Sequence, residues 1–315
     1  MKIQRTSSSK RGFTLMELMV AMAITTIIVT VLVSITSIAL DTWNRSRSEL
    51  RASRQAKGML DVMARDFEAL VTRRGNTNEW LSAITDISGT AQNGNKLPSS
   101  NAAKLIFFTA ATDRYDGNIG KPADLGGDVS CVAYQLDYRD PIGASSGSGF
   151  ETYVLSRLLV NPNETFTDLL GRPNLTTAFS TRASSLSNPT NFVCENIYQF
   201  TLTFHVQVSQ TSSATPPVVT LVNVPVKLGT TENSQTTKSF KINGAGIDTA
   251  FTGGGLVSVA ELKGGRITAM EISATVISDF GVDQLKRRTF TGTQQAEFLA
   301  KNSYQYTKLV QLPSM

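Results

Sequence analysis

Residues 11–40 read RGFTLMELMVAMAITTIIVTVLVSITSIAL, and what this stretch is decides the fold. A basic leader ends at Gly12 and a long apolar run follows. From Met16 to Leu40 the run holds 25 residues, with Glu17 as its only charge. About 20 apolar residues span a hydrocarbon core, so the run is long enough for a membrane helix. One alternative is a secretory signal peptide, with Ser37 and Ala39 as a small-x-small cleavage site. The apolar core of such a peptide runs about 7–15 residues and carries no acid, so this run is too long for one. The other alternative is a plain anchor helix with Glu17 hydrated near the membrane surface. The acid is what distinguishes the readings: a carboxylate at helix centre costs about 2.5–3.5 kcal/mol on insertion scales and usually finds a partner.

Charge is unevenly placed along the 315 residues. The leader carries Lys2, Arg5, Lys10 and Arg11 with no acid, which is four of the formal net charge of +5. Without it the chain is close to neutral, so net charge gives no support to a nucleic-acid partner, which needs cations on the folded surface. With 41% of residues apolar, a packed core is expected rather than global disorder.

The order basic leader, Gly12, Phe13, then Glu17 four residues on, in KRGFTLMELMVAMAI, resembles the cleavage and methylation signal of type IV prepilins and type II secretion pseudopilins. The resemblance implies that a prepilin peptidase cuts between Gly12 and Phe13, removing residues 1–12 on the cytoplasmic side, and that Phe13 is then N-methylated. It further implies that Glu17 pairs with the N-terminal ammonium of a neighbouring subunit. Chemically, glycine lets a protease approach the backbone closely, and Glu17 lies one helical turn from Phe13. The implied partners are prepilin peptidase, other pilin-like subunits and inner-membrane lipid, with no nucleic acid. The implied location is a single-pass inner-membrane protein with its soluble domain in the periplasm.

Beyond the span, 13–40, no proline occurs before Pro98, so the helix is expected to continue through 41–74. Leu50, Ala56, Leu60, Met63, Phe67 and Leu70 recur at mainly three- and four-residue steps as an amphipathic stripe. RRGN at 73–76 supplies terminal cations and a glycine stop. A wholly helical Phe13–Arg74 is 62 residues, roughly 90 Å at 1.5 Å per residue. Arg45 to Lys57 is rich in cations, which conflicts with the positive-inside rule for an exported side.

Residues 75–315 read as a β-rich domain. Lys104–Ala110 (KLIFFTA) is a buried strand. Val129–Tyr138, with Val132, Tyr134, Leu136 and Tyr138 on one face, and Phe150–Val160 form a long-looped hairpin. Phe192–Val208 is one long run with Phe200, Leu202, Phe204, Val206 and Val208 on its apolar face. Val218–Leu228 holds Pro225, the mark of an edge or a bulge. Arg266–Ser278 is a further strand, followed by a short helix at TQQAEFLAKNSY and by YTKLVQL. The segment 229–265, rich in Gly, Thr and Ser, reads as a mobile insertion. The expected fold class is α+β: a long N-terminal helix, membrane-spanning in its first half, packed on antiparallel β-sheet. The order of runs, with MARDFEAL, IFF, LSRLL, FTLTF and ITAMEISATVIS, also resembles the J-type minor pseudopilin of type II secretion, and the terminal KNSYQYTKLVQLPSM is similar to prepilin-like cassette proteins of Verrucomicrobia.

Candidates for chemistry are sparse. His205, the single histidine, falls on the polar face of its strand, and with two distant cysteines it makes no zinc set. There is no GxSxG elbow, Walker A loop or dinucleotide fingerprint. Cys131 and Cys194 either pair in an oxidising compartment or stay as buried thiols. Asp113, Asp116, Asn118, Asp124 and Asp128 form an oxygen-rich loop, a weak calcium candidate without EF-hand spacing, the alternative being a solvated turn. The expectation is a non-enzymatic structural subunit without cofactor. The competing expectation is an extracytoplasmic binding domain or enzyme that uses the helix as a tether, for which Gly12 and Glu17 are unnecessary.

Overall fold

The computed structural model describes residues 12–86, 102–110, 127–142, 151–211, 218–229, 231–232, 235–249, 251, 257–288, 290 and 292–312. The chain divides into two units, Met1–Ser48 and Glu49–Met315. Helix α1 (Leu15–Glu68) contributes its first part to one unit and its remainder to the other.

In the first unit every described residue up to Arg47 is exposed. Within the helical part of this stretch five threonines do not leave bare hydroxyls. Thr25, Thr26, Thr30, Thr36 and Thr42 each donate to the carbonyl four residues earlier, at 2.7–2.8 Å. That back-bonding is how threonine is accommodated where no water is available.

In the second unit α1 buries Ala52, Ala56, Met59, Leu60, Met63, Ala64 and Phe67, a stripe at steps of one, three and four. Leu50, expected in the stripe, is 56% exposed. The helix also stops at Glu68 rather than Arg74. Leu70 bridges to Thr109, Val71 N–H donates to the Phe108 carbonyl at 2.9 Å, and Ala110 N–H donates to the Ala69 carbonyl at 2.8 Å. Here β pairing overrides continuation of the helix, helped by the poor helix propensity of Val71 and Thr72.

Two antiparallel sheets carry the domain. The seven-stranded sheet has the order β11-β10-β1-β2-β3-β4-β5. Its strands are β1 (Glu79–Asp86), β2 (Ala102–Thr109), β3 (Ser130–Arg139), β4 (Thr152–Val160), β5 (Phe192–Glu195), β10 (Ser239–Asn243) and β11 (Gly246–Thr249). The four-stranded sheet has the order β13-β12-β6-β7, from β6 (Ile197–Thr211), β7 (Val219–Lys227), β12 (Arg266–Ile277) and β13 (Ser303–Gln311). A separate ribbon joins β8 (Thr231–Glu232) and β9 (Gln235–Thr236). The expected hairpin exists as β3–β4, and Pro225 sits on β7, an edge strand, opposite His205.

One face of the larger sheet shares a core with α1 and the inner face of the smaller sheet. Phe67 of α1 stacks on Phe107 of β2 at 4.2 Å, and Phe204 of β6 stacks on Phe240 of β10 at 4.0 Å. The other face packs Trp80, Ile106, Phe108, Cys131 and Val160 against Leu169, Leu175, Phe179 and Leu186. Those four leucine and phenylalanine side chains come from short helical turns between Pro162 and Asn191, which the strand-oriented sequence reading did not foresee. They explain why β3 is buried on both faces along Cys131–Tyr134 instead of alternating.

The run Phe192–Val208 is broken at Asn196, which has φ 60°. Asparagine tolerates this left-handed conformation better than most residues. Its side chain accepts from the Thr152 hydroxyl and donates to Asp279 Oδ1, both at 2.7 Å. The kink leaves β5 in the larger sheet and starts β6 in the smaller one.

The segment 229–265 is not a mobile insertion over its described residues. β10 pairs with β1 from Glu79↔Asn243 to Ile84↔Ser239, and Phe240, Ile242, Ile247, Phe251, Val257 and Leu262 are buried. Gly246 serves tight packing: it has φ 127°, and a Cβ there would lie 2.1 Å from the Lys263 carbonyl oxygen.

The cysteines are buried and free. Cys131 faces the helical-turn side of the larger sheet and Cys194 the shared core on the other side. The sheet itself separates them, so the disulfide alternative is not the one realised. Burial pushes the Cys194 thiol up to about 12 and the Cys131 thiol higher still. Both are thus uncharged thiols at pH 8, and the thiolate is the reactive form. A maleimide at pH 8 is expected to label neither cysteine in the native protein and both in denaturant. Intact mass without reductant is expected to show two free thiols.

Candidate functional site

The N-terminal site is built from three residues. Gly12 is exposed, and nothing lies within 4 Å of the position a Cβ would take. Phe13 is 82% exposed. Thr14 caps α1: Glu17 N–H donates to its Oγ1 at 3.2 Å, and Leu18 N–H donates to its carbonyl at 3.1 Å. Glu17 therefore occupies the first turn of the helix, where a negative charge is favoured by the peptide dipoles. The TLME spacing is that of Ser/Thr followed by Glu three residues later, a helix-start signal the sequence reading passed over. Leader residues 1–11 lie outside the described residues.

What can this arrangement do? Gly12 and Phe13, on either side of the bond between them, are both exposed. Phe13, Leu15, Met16, Leu18 and Met19 expose apolar side chains around Glu17. Among the described residues α1 is the one helix apolar and long enough to cross a membrane.

Within the second unit the sequence reading missed the main electrostatic feature. Asp66 lies on the buried stripe of α1, between Met63 and Phe67. Arg157 of β4 grips it in bidentate fashion, Nε to Oδ2 and Nη2 to Oδ1, each at 2.7 Å. The Tyr134 hydroxyl of β3 donates to Oδ2 in a short hydrogen bond. The Thr109 hydroxyl of β2 donates to the Asp66 carbonyl at 2.9 Å. Three strands are thus tied to one turn of α1. Burial first, and the charge of Asp66 second, push the Tyr134 phenol well above its ordinary range. The sequence shows only that Asp66 is an acid within a stripe of otherwise apolar residues, and not which partners bury it. Further along α1, Arg51 reaches Glu195 at 2.7 Å and Asp279 at 3.3 Å.

An open groove of about 410 Å³ runs beside α1, lined by Gln55, Gly58, Met59, Val62, Arg157 and Asn191 among others. Its lining holds no histidine, cysteine or carboxylate, and its one guanidinium is engaged by Asp66. His205 is partly buried, with Nε2 3.9 Å from Glu271 Oε2 and without a hydrogen-bond partner among the described residues. Asp113, Asp116, Asn118 and Asp124 lie outside the described residues, and Asp128 is exposed. Among the described residues no three His, Cys, Asp or Glu side chains gather as a metal site.

Comparison with known proteins bears on the N-terminal site. The family model of the prokaryotic N-terminal methylation motif matches residues 7–33. No curated protein matches the chain. Among solved structures, a type IV-like pilin from Thermus thermophilus is similar over 84% of this chain and 97% of that one, at 9% identity and a TM-score of 0.30. A score of that size establishes no common topology. The chain thus carries a prokaryotic N-terminal methylation motif over residues 7–33, at the capped, acidic start of a helix whose second part packs on antiparallel sheets in an α+β fold.

Proposed function

We propose that the chain is a structural, non-enzymatic subunit of a pilus-like assembly. A prepilin peptidase cuts between Gly12 and Phe13, Phe13 is N-methylated, and the apolar part of α1 crosses the inner membrane with residues 49–315 in the periplasm. In the assembly Glu17 pairs with the Phe13 ammonium of a neighbouring subunit. The finer role is that of a J-type minor pseudopilin serving protein secretion or a related pilus machine. The match of the methylation motif to residues 7–33, a range that includes Gly12, Phe13 and Glu17 at the start of an exposed apolar helix, supports this reading.

The test is mass spectrometry of the mature N-terminus. N-methyl-Phe13 is the expected result, and an intact Met1 in membrane-extracted protein overturns the reading. Glu17→Ala is expected to leave cleavage intact but to abolish co-purification of pilin-like partners. Unchanged partner recovery removes Glu17 from assembly while leaving the processing claim standing.

A further inference from the structure

The cations just beyond the apolar run are left unexplained by the assembly role. Arg45 and Arg47 fall on the side where the positive-inside rule disfavours them. Their placement is orderly, however. Leu40, Trp43 and Arg47 follow one another at three- and four-residue steps, so they share one helical face as an apolar, an aromatic and a cationic residue in ascending order. All three are exposed, Trp43 at 69%. From Leu15 to Trp43 the helix rises roughly 42 Å at 1.5 Å per residue, which matches the ~40–45 Å of a bilayer with its headgroups. Indole rings settle at that level, with their apolar body in the acyl chains and N–H in the headgroups.

We propose that Trp43 and Arg47 form a lipid-binding collar at the far face of the membrane, with the indole at the glycerol level and the Arg47 guanidinium on the phosphate of an anionic phospholipid. The collar sets the depth of the span and gives the arginine a counter-charge that offsets its unfavourable side. It rests on the membrane-spanning reading of α1.

The protein contains its own reporter. It has two tryptophans, and Trp80 is buried at 5% exposure, so lipid-borne quenchers read Trp43. The full chain is reconstituted in phosphatidylcholine vesicles with and without phosphatidylglycerol, using either lipid brominated near the glycerol or near the acyl end. Trp43→Phe provides the Trp80 background. The expected result is stronger quenching by shallow than by deep bromines. Brominated phosphatidylglycerol is expected to be selected over phosphatidylcholine about fivefold, the factor corresponding to ~1 kcal/mol per arginine near an anionic surface. Arg47→Ala is expected to bring that selectivity to one. Protein that resists alkaline extraction but shows deep quenching, none, or equal response to both lipids overturns the collar and leaves the span intact. Selectivity that survives Arg47→Ala overturns the assignment to that residue. Protein that alkaline carbonate extracts overturns both the span and the collar.

Discussion

Asp66→Ala is expected to destabilise the β-rich unit by about 3–5 kcal/mol, because it breaks a buried ion pair from one side. The substitution leaves the Arg157 guanidinium, 13% exposed, without its carboxylate and the buried Tyr134 hydroxyl without its acceptor. At roughly 2–4 °C per kcal/mol for a domain of this size, melting should fall by roughly 6–20 °C. Circular dichroism of the full chain in detergent, read on the sheet signal, measures it. The control is Asp66→Leu with Arg157→Met. An apolar pair of similar volume is often neutral or stabilising where a lone charge is not, so the double variant should recover most of the loss. If it melts as low as Asp66→Ala, the loss comes from disrupted packing and the ion pair is not its source.

The position of Asp66 shows what the sequence concealed. Periodicity located the stripe of α1, because the apolar residues at 56, 60, 63 and 67 repeat as a helix face must. It does not say that a polar residue inside that stripe will be buried, since that depends on Arg157 arriving from 91 positions away. Partners of that kind are set by strand register, and β3–β4 register is fixed only when the sheet forms. The end of α1 was concealed for the same reason: Leu70 and Val71 leave the helix to pair with Thr109 and Phe108, which are non-local groups. At the N-terminus the situation reverses. Gly12, Phe13, Thr14 and Glu17 are close in sequence and their relation to one another is local, so the start of the helix and the place of its acid were legible, the Thr14 cap apart. The strands with clear alternation were legible too, and β1 and the helical turns at 162–191 were not, because short mixed segments carry no period.

The segment 229–265 tests the same distinction between composition and structure. Glycine, threonine and serine made it look like surface loop, yet SFKIN alternates, with Phe240 and Ile242 buried. Phe240 has no exposed surface, stacks on Phe204 of the smaller sheet at 4.0 Å and stands opposite Ala83 of β1. It therefore belongs to a core shared by both sheets, and Phe240→Ala is expected to cost about 3–5 kcal/mol through lost burial and the cavity it leaves. Val259→Ala, in the same segment but 54% exposed, provides the comparison, with an expected change within about 0.5 kcal/mol as for most surface sites. Melting curves of the two variants discriminate directly. A large fall for Phe240→Ala alone means that β10 is a structural strand extending the sheet past β1. Equal and small changes for both would return the segment to the surface and leave β1 as the edge of the larger sheet. With β10 and β11 in place, the strand at that edge is β11, and the backbone of β1 is already paired on both sides.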